Sequence, residues 1–138
     1  MSKVWWKTTE EIDMKKLLTI FLLSFSINGY CEWKVIDSDK DGSGYIDPST
    51  IKKSLNLVKV WEMIDYKTLQ KNNGFTYKSL VSLREYDCKD DRVRGLSITY
   101  FSDSMGNGKP VNQDNQTTEW VYLPPGSLGI TKLKGLCK

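Results

Sequence analysis

Residues with the chemistry to bind a metal ion stand close together in the segment 39–50. Four oxygen-bearing side chains occupy ligand positions of a loop that resembles an EF-hand calcium loop: Asp39, Asp41, Ser43 and Asp47. Hard oxygen ligands at this spacing converge on Ca²⁺, and a glycine at the sixth position, here Gly44, permits the sharp bend of such a loop. The segment therefore raises calcium binding as one hypothesis.

Two features of the same segment oppose a calcium site. The twelfth position of an EF-hand loop is a bidentate Glu, and this chain has Thr50 there. Pro48 also disfavours the helix that should follow the loop, whereas the Asp, Gly and Ser content suits the tight turn of a β-hairpin. We predict a hairpin, and we keep a weak calcium site at Asp39, Asp41, Ser43 and Asp47 as the alternative.

The chain offers little for enzyme chemistry. Its 138 residues contain no His, which removes the commonest general base and every Ser–His or Cys–His pair. The acidic pair Asp90-Asp91 stands beside Arg92 and is interpreted as a solvated hairpin tip. We predict a protein without catalytic residues and without a cofactor.

The charge of the chain argues against a nucleic-acid partner. Lys and Arg number 20 against 17 Asp and Glu, a net charge of +3, and no basic run is longer than two residues. The lysines at 52–53 and at 132, 134 and 138 are interpreted as solubilising charge. The alternative is a basic surface for a polyanionic or protein partner.

The N-terminal residues have the pattern of a secretory signal. Lys15 and Lys16 precede an apolar run over 17–27 and a small-residue stretch, so residues 14–31 are predicted to be a signal peptide and residues 1–13 an over-called start. The apolar run is too short for a membrane span, and none is predicted in the mature chain. Cleavage before Glu32 leaves 32–138 as a single domain. Lipid attachment at Cys31 is the alternative.

The predicted export determines the redox environment of the two cysteines in residues 32–138. Cys88 and Cys137 would be carried to a compartment where a disulfide persists. We predict that bridge, with two free buried thiols as the alternative. The domain would then act outside the cytoplasm, in the periplasm, on the outer surface or as a secreted protein.

The residues of 32–138 favour strands, because aromatic and β-branched side chains alternate in short runs. Strands are predicted at 33–36, 45–47, 57–66, 75–88, 93–102 and 119–123, with a polar connection over 67–74. Ser127 is predicted to cap a short C-terminal helix whose Ile130, Leu133 and Cys137 recur on one face. The fold class is therefore α+β, mainly β.

Several motifs, in this order and spacing, resemble the surface-adhesin protein E-like family of Gram-negative bacteria. They are the segments 45–51, 58–66, 82–88 and 105–108, followed by Trp120, the segment 125–127 and Cys137. The resemblance implies a curved antiparallel sheet of about six strands, to which a C-terminal helix is tied by a disulfide. It also implies an outer-surface adhesin that binds host matrix and plasma proteins and is able to dimerise.

These observations lead to one functional prediction. The chain is expected to be a non-enzymatic extracytoplasmic binding domain, an adhesin that contacts host or envelope proteins. A protein partner is expected, and a homodimer is left open. The alternative is a weak calcium-binding exported module that uses the loop 39–50.

Overall fold

The computed structural model of the protein describes residues 31–138. The signal peptide predicted for 14–31, apart from Cys31, and the over-called start at 1–13 lie outside these residues, so both stay predictions. Eight strands and one helix follow: β1 Lys34–Ser38, β2 Gly42–Ile46, β3 Lys52–Ser54, β4 Leu57–Asn72, β5 Phe75–Asp87, β6 Arg92–Phe101, β7 Pro110–Asp114, β8 Val121–Tyr122 and α1 Leu128–Leu136. Short 3₁₀ turns occur at Pro48–Thr50 and Ser104–Gly106.

The strands form one antiparallel sheet. Its main path has the order β1-β2-β4-β5-β6-β7, while β3 pairs with β4 and β8 with β6. The six strands of this path and the short C-terminal helix confirm the predicted fold class. Among residues 31–138, no helix has the length and apolar character that crossing a membrane requires.

The long central hairpin of β4 and β5 differs from the prediction. The connection expected over 67–74 is wrong, because β4 continues to Asn72 and pairs with Phe75 across a turn of two residues. Those residues, Asn73 and Gly74, have φ of 38° and 89°. An Asn-Gly pair adopts positive φ readily and favours two-residue hairpin turns. The polar side chains around it were interpreted as a loop, although the turn pair was present.

Two further strands were not predicted. The three residues of β3 and the five of β7 carry few large apolar side chains, so no alternating pattern marks them. Both form through pairing with a longer neighbour, β3 with β4 and β7 with β6. The hairpin predicted for the segment 39–50 is present, formed by β1 and β2.

Helix α1 begins as predicted. The Ser127 hydroxyl accepts a hydrogen bond from the Ile130 amide at 3.2 Å, which satisfies one of the free donors of the first turn. The buried face of α1 carries Ile130, Leu133 and Leu136. These side chains complete the core with residues of three strands: Val58 and Val60 of β4, Tyr86 of β5 and Val93 of β6.

Two close contacts hold α1 against the sheet. A Cβ at Gly129 would lie 2.7 Å from Leu123 Cδ2, so the absence of a side chain lets the first turn approach the segment after β8. At the other end of the helix, Cys137 forms a disulfide with Cys88, which follows β5, and their Cα atoms are 5.8 Å apart. The predicted tether between the helix and the sheet is confirmed.

The disulfide is expected to contribute strongly to stability. It links residues 49 positions apart, and the chain-entropy model gives about 4 kcal/mol for closing a loop of this size. Urea unfolding of residues 32–138 carrying Cys88→Ala and Cys137→Ala should show a free energy of unfolding lower by that order.

Reduction of the parent chain provides the matched control, since it opens the bridge without a change of sequence. It should reproduce most of the loss. Unchanged urea midpoints for both proteins would contradict a stabilising tether.

Candidate binding groove

The register of the central strands places charged residues on the face that carries the helix. Val60 pairs with Arg84 and Glu62 with Ser82 across β4 and β5. Because alternate residues of a strand share a face, Glu62 and Arg84 lie on the same side as the core residues Val58, Val60 and Tyr86. The helix face is thus apolar under α1 and polar beside it.

Glu62 is the centre of the polar region. The residue is 6% exposed in the folded chain, and its carboxylate has three partners. Lys132 Nζ of α1 donates to Oε2 at 2.9 Å, Arg84 Nε lies 3.6 Å from the same oxygen, and the Tyr86 hydroxyl donates to Oε1. A buried carboxylate is tolerated when cations and hydrogen-bond donors compensate it. This group therefore anchors α1 to the sheet by charge as well as by apolar contact.

The Tyr86 hydroxyl responds to the same environment. Its burial, followed by the charge of Glu62, raises the pKa of Tyr86 well above its ordinary value. The phenol consequently remains protonated and acts as a donor to Glu62. The Lys132 ammonium also lies 5.8 Å from the centre of the Tyr86 ring, within the range of a cation–π contact.

Arg84 differs from the other two arginines of the chain. Its side chain is 38% exposed, and the Nε contact with Glu62 is its one ion pair within residues 31–138. Arg92 and Arg94, on the opposite face, donate to Asp87 and Glu85 at 3.0 and 2.8 Å, and both stack on Trp120. The terminal nitrogens of Arg84 are thus available to an incoming oxygen ligand, whereas those of Arg92 and Arg94 serve the fold.

Arg84 stands between two cavities on the helix face. The first, of about 360 Å³, is lined by Glu62, Ile64 and Tyr66 of β4 and by Leu128 and Lys132 of α1, with the β1–β2 hairpin as its outer wall. The second, of about 390 Å³, lies on the β6 side and extends to the segment 114–118. We call the surface formed by Glu62, Ile64, Tyr66, Arg84, Leu128 and Lys132 the helix-face groove.

An apolar cavity of about 340 Å³ adjoins the groove along α1. Ile46, Ile51 and Leu136 line it, and it shares Ile36 and Leu128 with the first cavity. Leu128 is 53% exposed and Ile36 is 36% exposed. Arginine is enriched at protein-binding surfaces, and Leu128 and Ile36 add apolar surface beside Arg84.

The proposed calcium ligands do not come together in this structure. The Asp39 carboxylate accepts hydrogen bonds from the amides of Asp41 and Gly42, at 2.8 and 3.0 Å, and these bonds lower its pKa. Ser43 contacts Ser38 across the hairpin at 2.9 Å. Asp47 lies beyond the far end of β2, six residues or about 20 Å of extended strand away from Asp41. Within residues 31–138, no three acidic or cysteine side chains form a metal-binding group.

Asp47 instead organises the chain after β2. Its carboxylate accepts from the Ser49 amide at 3.0 Å, which caps the following 3₁₀ turn, and from the Cys31 thiol at 3.0 Å. Burial and the neighbouring carboxylate raise the pKa of Cys31 to about 11. Calcium binding by Asp39, Asp41, Ser43 and Asp47 therefore stays a prediction that this geometry does not favour.

The groove residues were missed in the sequence, although part of their pattern was visible there. Glu62 interrupts the apolar series of Val58, Val60 and Ile64, and Arg84 has the same parity as Leu80 and Tyr86. A charged side chain on the buried face of a central strand requires an oppositely charged or hydrogen-bonding partner. Nothing in the sequence pairs these residues with Lys132.

Comparison with known proteins agrees with the fold. The sequence profile of the family described as surface-adhesin protein E matches residues 33–138. The selenomethionine form of protein E from Haemophilus influenzae superposes with a TM-score of 0.59 at 13% identity, over 75% of this chain and 84% of that chain. Protein E from non-typeable Haemophilus influenzae gives 0.59 and 14%, over 75% and 74% of the two chains. These structures share the fold. A search of curated protein sequences finds no match.

Removal of the Tyr86 hydroxyl tests the charge group under α1. Tyr86→Phe leaves one oxygen of the buried Glu62 without its donor, which should cost about 1–2 kcal/mol of unfolding free energy. Tyr122→Phe is the matched control, because Tyr122 is 67% exposed, and it should change stability by less than about 0.5 kcal/mol. Equal stabilities of the two variants would contradict a structural role for this hydroxyl.

A carboxylate on the sheet face opposite α1, that of Asp87, should make the free energy of unfolding depend on pH in the acid range. Burial alone would raise the pKa of Asp87, but bonds from Arg92 and from the Lys89 and Asp90 amides lower it overall. A carboxyl whose pKa is lower in the folded chain contributes stability above its unfolded pKa of about 3.9, and that contribution is lost as the pH falls through the folded pKa.

The stability difference between the parent chain and Asp87→Asn should therefore shrink when the pH falls from about 6 to about 3. Asp91→Asn is the control for removing a carboxylate at the same exposed tip, because the Asp91 side chain accepts none of the hydrogen bonds that Asp87 accepts. A difference for Asp87→Asn that does not change with pH would overturn the assignment. Urea unfolding at each pH supplies the measurement.

Proposed function

Because the chain belongs to the surface-adhesin protein E family, we propose that it is a non-enzymatic extracytoplasmic binding domain that contacts a protein partner through the helix-face groove. The observation that carries this proposal is the position of Arg84. Its side chain lines two neighbouring cavities, and its terminal guanidinium nitrogens form no ion pair within residues 31–138. The exposed Leu128 lines the first of these cavities. The partner would be a host or envelope protein, so that the domain works as an adhesin. The predicted signal peptide would deliver it to that location.

The lining of the groove suits a polypeptide. A guanidinium binds carboxylate or carbonyl oxygens with two parallel hydrogen bonds. Leu128 and Ile36 offer apolar contact along α1, and Tyr66 adds an aromatic side chain at the other end of the groove. Arginine and tyrosine are among the residues that dominate binding energy in protein interfaces.

A non-enzymatic role is consistent with how the buried carboxylates are used. Glu62, Glu85 and Asp87 each face an arginine or lysine, and Asp47 caps a turn. Their charges are held by the fold, and the whole sequence contains no histidine that could serve as a base.

The experiment measures binding of purified residues 32–138 to a panel of immobilised matrix and plasma proteins. Arg84→Ala and Leu128→Ala should each weaken binding by about tenfold or more, as interface hot spots do. Lys134→Ala is the matched control, since Lys134 is exposed on α1 but does not line the groove.

Thermal unfolding of each variant shows whether the fold is retained. Lys132 still compensates Glu62 in Arg84→Ala, so that variant should remain folded. No binding by the parent chain at micromolar concentration would contradict the adhesin proposal. If Arg84→Ala and Leu128→Ala bind as tightly as the parent chain, the interface lies outside the groove. Sedimentation of the same samples would detect the homodimer that the resemblance implies.

A further inference from the structure

The second cavity on the helix face lies beside the helix-face groove. It has a volume of about 390 Å³ and is enclosed by β5, β6 and the segment 114–118. Its floor is formed by neighbouring residues of two strands, since Arg84 pairs with Gly95 and Ser82 with Ile98. Pockets that hold small molecules have volumes of this order and combine apolar walls with a few polar groups. We call it the β5–β6 cavity.

Ser82 places an unused hydrogen-bonding group in this cavity. The residue is 4% exposed, and its hydroxyl forms no hydrogen bond with the residues that the structure describes. Every side-chain nitrogen or oxygen that is sealed from solvent within residues 31–138 does have a hydrogen-bond partner. The Ser82 oxygen, which has none, therefore reaches the open space of the cavity that Ser82 lines. A buried hydroxyl needs a partner, and here a molecule inside the cavity is what can supply one.

Arg84 adds a cation next to this hydroxyl. It lies two residues further along β5, about 7 Å along the strand from Ser82 and on the same face. Its side chain lines the cavity, and its terminal nitrogens form no ion pair with the part of the chain that the structure describes. Arg94, the other cation of the lining, donates instead to Glu85 at 2.8 Å. A free guanidinium beside a free hydroxyl suits the two oxygens of a carboxylate, because both groups donate.

Gly95 keeps the floor of the cavity open beside Arg84. The two residues are cross-strand partners, and Gly95 has no side chain that could fill the space next to the arginine. A Cβ added at Gly95 would have its nearest contacts with Thr118, at 3.6 and 3.7 Å, so the space is real. The Thr118 amide donates to the Gly95 carbonyl, and the Gly95 amide donates to the Thr118 hydroxyl, each at 2.9 Å. These bonds fix the outer wall, so the cavity is formed before any ligand enters.

The rest of the lining is apolar on one side and acidic at the far rim. Its aliphatic residues are Val93, Ile98, Val121 and Leu123. Asp114 lies on β7, two strand spacings or about 10 Å across the sheet from β5. Its carboxylate accepts a hydrogen bond from the Gln116 amide at 2.8 Å, and it would repel a second negative charge on a ligand. The cavity is therefore suited to a single anionic group with an apolar body.

We propose that the β5–β6 cavity binds a small organic monocarboxylate. The carboxylate would accept hydrogen bonds from Arg84 and Ser82, and the hydrocarbon part would contact the aliphatic wall. Inorganic phosphate and sulfate fit less well, because they have no apolar surface and carry a second charge toward Asp114. A neutral apolar molecule would leave Arg84 and Ser82 without an acceptor.

This site does not depend on the protein partner proposed for the helix-face groove. Arg84 is the residue that both share, so the two proposals are separated by residues that only one of them uses. Ser82 lines the β5–β6 cavity and not the groove, whereas Leu128 lines the groove and not this cavity. Ser82→Ala should therefore keep its protein binding, and Leu128→Ala should keep its carboxylate binding. Each proposal can fail while the other holds.

The experiment titrates isotope-labelled residues 32–138 with octanoate, octanamide and acetate and follows the backbone amides by NMR. Octanoate should bind saturably in the millimolar range or tighter, as expected for a ligand of about ten non-hydrogen atoms. The largest shifts should occur at 82–84, 95–98 and 114–118. Octanamide lacks the charge and acetate lacks the apolar body, so each should bind at least about tenfold more weakly.

Substitutions in the lining test the site residue by residue. Ser82→Ala should weaken octanoate binding several-fold and Arg84→Ala by about tenfold or more. Gly95→Val fills the floor and should abolish binding, and Gly95 is not one of the glycines with positive φ, so the strand accepts a side chain there. Ser54→Ala, at an exposed serine of β3, is the matched control and should bind as the parent does. Thermal unfolding reports whether Gly95→Val disturbs the fold, and Ser82→Ala tests the site independently of that outcome.

Four results would overturn the proposal. The first is the absence of saturable shifts at about 20 mM octanoate. The second is equal affinity for octanamide or for inorganic phosphate, which would indicate that no apolar carboxylate is recognised. The third is a set of largest shifts at Ile36 and Leu128, which would place the ligand in the groove. The fourth is unchanged octanoate affinity in both Ser82→Ala and a folded Gly95→Val.

Discussion

The attachment of a short helix to a much longer sheet is the constraint on which this structure depends. The nine residues of α1 span about 14 Å, whereas the 16 residues of β4 extend over about 50 Å. One helix therefore covers only part of one face. The Cys88–Cys137 disulfide and the core residues Ile130, Leu133 and Leu136 keep it there. The remainder of that face must be compatible with water, and this is where the groove forms.

The boundary between the covered and the open part of the face is built from charges. Glu62 lies where the apolar contact with α1 ends, and Lys132 reaches it from the helix. The three partners of Glu62 compensate its charge unequally. Lys132 and Tyr86 form hydrogen bonds with the carboxylate, whereas Arg84 Nε stays 3.6 Å away from it. The same group that stabilises the helix thus leaves one arginine only loosely engaged. For this reason the structural ion group coincides with the surface that we propose for binding.

The sequence by itself determined the features that depend on neighbouring residues. Ser127 with the apolar spacing of Ile130 and Leu133 is a local helix pattern, and the alternation of 75–88 is a local strand pattern, so both were predicted. The pairing of Cys88 with Cys137 followed because export was predicted to leave two cysteines. The Asn73-Gly74 turn was equally local, but the polar residues around it led to the prediction of a loop. Strands β3 and β7 carry no pattern of their own.

Only the tertiary structure decided which surfaces the protein presents. Glu62, Arg84 and Lys132 come from β4, β5 and α1, and cross-strand register together with helix docking brings them into contact. The same register extends β2 as a strand, which carries Asp47 away from Asp39 and Asp41 and opposes the calcium hypothesis. Contacts of this kind depend on how elements distant in sequence align. Composition and periodicity record each element separately and contain no information about that alignment.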